Sequence, residues 1–74
     1  MLIGKVFRIK YKTVDNRPWT KRVKVFTQAL KFAKKKCKNE RVAFIEEILI
    51  YSEDKERVNT KWVVTDKSHF IIII

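Results

Sequence analysis

Two sets of cations stand out by their spacing. Arg8, Lys10 and Lys12 recur at every second position, Arg22 and Lys24 repeat that interval, and Lys31, Lys34, Lys35 and Lys38 recur at intervals of three and four. A two-residue interval places side chains on one face of a strand, and an interval of three to four places them on one face of a helix. Rows of ammonium and guanidinium groups can neutralise phosphates and release condensed counterions, which makes such binding fall steeply with salt. Lysine acts there as a point charge without the bidentate geometry that reads base edges, so backbone contact is expected over sequence recognition. The plain alternative is a solvated hydrophilic face.

Groups suited to catalysis are few. His69 is the sole histidine, and a small basic ribonuclease would use it as a general base with a lysine or arginine stabilising the transition state. It stands beside Phe70 in an apolar run, where a packed or edge role is expected, so no catalytic residue is assigned. Glu46 and Glu47 are adjacent in a predicted strand and face opposite ways, so they cannot act as a carboxylate pair. One cysteine, one histidine and scattered acids lack the spacing of metal ligands, and there is no glycine-rich phosphate loop. No metal and no cofactor is expected. Cys37, without a second cysteine to pair with, reads as a small buried hydrophobe.

The chain that must position these groups has 74 residues, room for one hydrophobic core and one domain. Apolar residues make up 46% and include five Phe, two Trp and two Tyr, above the regime in which chains stay disordered. Eighteen Lys and Arg against eight Asp and Glu give a net charge of +10. The charge is segregated: residues 1–38 hold thirteen basic side chains and one acid, Asp15, whereas residues 39–74 hold five basic and seven acidic ones. Such asymmetry points to contact with nucleic acid or another anionic surface. The longest apolar run, Phe70 to Ile74, is far short of the roughly 18–20 residues that span a bilayer. Met1 to Lys12 alternates charge with apolar residues instead of forming a signal-peptide core. No membrane contact and a cytoplasmic location are expected, the host cytoplasm if the chain is phage-encoded, as its Lys- and Ile-rich, glycine-poor style suggests.

Leu2 to Thr13 reads as a strand with Ile3, Phe7, Ile9 and Tyr11 on one face and Arg8, Lys10 and Lys12 on the other. Asp15-Asn16-Arg17-Pro18 has turn composition. Trp19 to Phe26 reads as a second strand, completing a hairpin. Thr27 is the expected N-cap of a helix from Gln28 to Lys38, with Phe26, Ala29, Leu30, Ala33 and Cys37 on its apolar arc and the lysines opposite. Arg41 to Tyr51 is apolar at both parities, as expected of a central strand covered on both faces. Ser52 to Arg57 reads as a charged loop, Val58 to Thr65 as a strand, Asp66-Lys67-Ser68 as a turn or bulge, and His69 to Ile74 as a β-prone apolar run. The predicted fold is α+β: a hairpin, one helix and a second hairpin whose last strand is either continuous or split in two, with the helix packed on one face of a mainly antiparallel sheet.

If the odd residues of the first hairpin face the helix, its cations point away from it, and the hairpin and helix lysines form two patches instead of one. Trp19, Phe7 and Tyr11 share the apolar parity and are expected in the core, which leaves Phe32, off the helix's apolar arc, as the better candidate for an exposed aromatic, with covering an edge of the sheet as its alternative. The functional expectation is a non-catalytic nucleic-acid-binding or nucleic-acid-associated accessory protein, with Arg8, Lys10, Lys12, Arg22, Lys24, Lys31, Lys34, Lys35 and Lys38 as the contact residues. The alternative is a small interaction module or inhibitor that docks on an acidic or nucleic-acid-bound protein. In that reading Glu46 and Glu47, with Glu53, Asp54 and Glu56, form an acidic patch, and Ile71, Ile72, Ile73 and Ile74 add an edge strand to a partner or to a second copy in a homodimer.

Overall fold

The computed structural model describes residues 2–13, 15–37 and 42–72. Alternation of apolar and basic residues produces β1 (Gly4–Lys12) and β2 (Pro18–Val23). The turn between them sets Asn16 at φ 62°, a left-handed conformation that asparagine tolerates better than most residues. Thr13 closes the turn: its carbonyl accepts from the Asn16 N–H and its own N–H donates to the Arg17 carbonyl, both at 2.9 Å.

Helix α1 (Phe26–Lys36) begins at Val25, which makes no side-chain cap. The expected cap, Thr27, instead lies within the first turn. Aromatic packing fixes the start: the Phe26 ring meets Phe7 edge-on at 5.6 Å and Trp62 at 4.8 Å. Burying a phenyl ring is worth more than the roughly 1 kcal/mol of an N-cap.

After α1 come β3 (Ala43–Ser52) and β4 (Lys55–Val64). The charged loop expected from Ser52 to Arg57 shrinks to a two-residue turn, with Lys55, Glu56 and Arg57 drawn into the strand. A bulge at Asn59 shifts the pairing between Glu47↔Thr60 and Ile48↔Val58. A turn at Asp66 and Lys67 leads into β5 (His69–Ile72). There the Thr65 N–H donates to the Ser68 carbonyl at 2.8 Å, and the Thr65 hydroxyl accepts from the Ser68 N–H at 3.1 Å.

All neighbouring strands run antiparallel in the order β2-β1-β3-β4-β5. The expected α+β arrangement is therefore present, and of the two alternatives for the last strand the split one is found. Among the described residues no helix is long and apolar enough to cross a membrane.

Directly paired residues share a face, so the register sorts the side chains. Phe7, Ile9, Ala43, Ile45 and Val64 face α1 and bury with Ala29, Ala33 and Cys37 into one core. The Cys37 sulfur lies 3.0 Å from the carbonyls of Ala33 and Val64, and burial pushes its thiol pKa up, so it stays protonated and inert. The double cover expected for β3 is absent among the described residues: α1 covers one face, and the even residues of β3 turn to a face with no second layer. Ile48 and Glu46 are nonetheless inaccessible there, 1% and 2% exposed. Ile48 is flanked by Val6 and Val58. Over the same face Arg22 reaches from β2 to Glu56 of β4, closing a bidentate pair at 2.9 and 3.1 Å.

Candidate functional site on the open face of the sheet

The register lays two rows across the face that α1 does not cover. One runs Arg22, Arg8, Glu46, Lys61, Ile72 and the next Thr20, Lys10, Phe44, Val63, Phe70, each residue on the strand beside the last. Strands are spaced about 4.8 Å apart, so each row is a compact line of side chains.

Glu46 organises the cations. Its Oε1 accepts from Arg8 Nε at 2.8 Å and lies 2.6 Å from Arg8 Nη2 and 3.3 Å from Lys10 Nζ, while its Oε2 lies 3.4 Å from Lys61 Nζ. Burial alone would raise the Glu46 pKa, but hydrogen bonds and charge from Arg8 and Lys10 outweigh it and hold the carboxyl below its ordinary value of 4.5. Three cations meet one carboxylate, leaving two positive charges in surplus. The Arg8, Lys10 and Lys61 side chains all keep part of their surface in solvent. Glu46 thus anchors cations whose outer surfaces remain available to an anion.

Aromatic rings adjoin this cluster. Phe44, beside Lys10 on the second row, is 37% exposed, and Phe70, two strands further, is 58% exposed. Where β1, β2 and β3 end together, a cleft of about 690 Å³ opens beside Phe44, lined by Lys10, Tyr11, Lys12, Asn16, Pro18, Trp19, Thr20 and Val42 as well.

The structure brings Arg8, Lys10 and Arg22 onto this face, and places Lys12 at its cleft end. Lys24 is exposed just beyond β2. Lys31, Lys34 and Lys35 are exposed on α1, on the other side of the sheet, so two patches form. Lys38 lies outside the described residues. Lys61 joins the cluster unforeseen, because its role depends on the β3–β4 register and not on any local pattern.

Two aromatic expectations, for Trp19 and Phe44, are corrected, and Phe32 takes the second of its two readings, covering an edge of the sheet. Trp19 is exposed on an edge strand instead of buried. Phe32 is half-buried against the core: its ring meets Tyr11 at 5.7 Å, with Lys21 and Lys36 ammonium groups 4.6 and 5.3 Å from it. That cation–π contact also accounts for Lys21 interrupting the apolar parity of β2. Phe44, expected under a second layer, is an exposed ring.

The acidic patch does not assemble as expected. Glu46 is buried beneath its three cations, Glu47 is half-buried with Lys5 at 3.5 Å and Asn59 Nδ2 at 2.7 Å, and Glu56 is paired with Arg22. In β5, Ile71 is 64% exposed and Ile72 half-buried, while Ile73 and Ile74 lie outside the described residues. The His69 ring packs edge-on against Phe26 at 6.1 Å, as a strand-end residue does. Among the described residues no group of His, Cys, Asp and Glu is arranged to hold a metal. No family model, curated protein or solved structure matches the chain, so the side chains carry the functional argument.

Proposed function

We propose that the protein binds nucleic acid, without catalysing a reaction on it, through the open face of its sheet. The observation that supports this reading is the cluster at Glu46: three cations from two strands, Arg8 and Lys10 of β1 and Lys61 of β4, held around one carboxylate with two charges in surplus. A solvated face has no need to fix its lysines, and a buried carboxylate that does so positions them for phosphates. The test is a salt titration of binding to nucleic acid between about 50 and 200 mM salt. Three contacts, from Arg8, Lys10 and Lys61, imply a log–log slope of about −2 on a single strand. Salt-independent binding, or none at the low-salt end, refutes the reading.

A second reading, docking on another protein, is favoured by β5, an edge strand with Phe70 and Ile71 both exposed. Aspartate in place of Ile71 abolishes such a complex and leaves nucleic-acid binding intact.

A further inference from the structure

We infer that the open face takes single-stranded nucleic acid, with one unpaired base seated in the cleft beside Phe44 and the strand crossing the sheet toward Phe70. This rests on the nucleic-acid reading above and narrows its ligand class. Phe44 and Phe70 stand on one cross-strand row with only Val63 between them, about 10 Å apart by strand spacing. Both rings are exposed on the face that holds the Glu46 cations. A duplex keeps the faces of its bases stacked on one another, so exposed rings gain nothing from it. Single strands expose those faces, and stacking on aromatic side chains beside cations is how sequence-tolerant single-strand sites work.

The cleft supplies the second observation. Its volume of about 690 Å³ lies within the roughly 300–1,000 Å³ of small-ligand sites, ample for one nucleoside. Its lining includes one ring of the open face that can stack, Phe44, with Pro18, and Lys10 in its lining adjoins the Glu46 cation row. Asn16 and Thr20 add polar groups that can meet a base edge. An apolar peptide would fill the same volume but would place no charge against Lys10.

The experiment compares a thymidine decamer with a ten-base-pair duplex at one salt concentration, following anisotropy of a labelled strand. The decamer is expected to bind at least 10-fold tighter than the duplex. Phe44→Leu, which keeps an apolar side chain at an exposed position, is expected to weaken decamer binding about 10-fold and to leave duplex binding and the circular dichroism spectrum unchanged. Phe70→Leu gives a second reading of the same effect from the far end of the row. Equal affinity for the two forms, or a decamer affinity unmoved by Phe44→Leu, overturns the single-strand assignment while leaving the nucleic-acid reading standing. Failure to bind either form overturns both.

Discussion

Ile45 and Glu46 are neighbours on β3, both inaccessible to solvent and turned to opposite faces of the sheet. Ile45 is sealed by α1 and the aromatic residues around Phe26. Glu46 has no helix over it and is sealed by the side chains of Arg8, Lys10 and Lys61, charges that themselves reach water. The first kind of burial is nondirectional and scales with area; the second depends on geometry, on pH and on every partner remaining in place. One sheet can therefore keep its stability on one face and reserve the other for charge.

The contrast is broken most severely from the dry side. Ile45→Ala should cost about 3 kcal/mol or more, a large share of the stability available to so small a domain, and urea denaturation would register it as a collapse of the midpoint. If the loss is under about 1 kcal/mol, the helix side is not the tightly packed layer described above.

On the charged side, Glu46→Gln should cost less, about 2 kcal/mol, because the stranded cations can turn to solvent. It should also make nucleic-acid binding more salt-dependent, by removing an anion that competes for Arg8, Lys10 and Lys61. The same carboxylate sets a pH signature. Its folded pKa is below its ordinary value of 4.5, so its contribution is complete above that value and is lost as pH falls through the lowered one. Glu46→Gln should flatten the acid limb of stability against pH. The remaining slope belongs in part to Glu56, whose pKa is held down by the Arg22 hydrogen bonds.

The smallest effects on stability, and the sharpest test of which face binds, come from paired lysine substitutions. Lys10→Gln with Lys61→Gln should reduce the log–log salt slope by about 1.4, whereas Lys34→Gln with Lys35→Gln on α1 should leave it unchanged. The reverse result would move the binding surface to the helix.

Periodicity sufficed for the strands, the helix and the direction in which Arg8, Lys10 and Arg22 point, because each of those depends on neighbours two to four residues away. What was not legible depends on pairing. The apolar run of β3 looked doubly covered because its even positions are apolar too, yet Phe44 is left open and Glu46 is closed over by cations from β1 and β4. Lys61 carries no local mark of its role, since the partner that gives it one lies 15 positions earlier in sequence and is reached only through the β3–β4 register. Trp19 matched the core parity of β2 but sits on an edge strand, where parity alone does not secure burial. Thr27 offered a cap that the burial of Phe26 overruled.

The two edges of the sheet are unlike. β2 presents Pro18, which has no N–H to offer, together with Lys21, whose charge repels a copy of the same chain; β5 presents His69, Phe70, Ile71 and Ile72, with neither of these guards. A sheet with two open edges can stack end on end without limit, and one with two blocked edges cannot join at all. With one of each, two copies joined β5 to β5 would leave only guarded edges facing outward, so the sheet would not extend beyond a pair by that route.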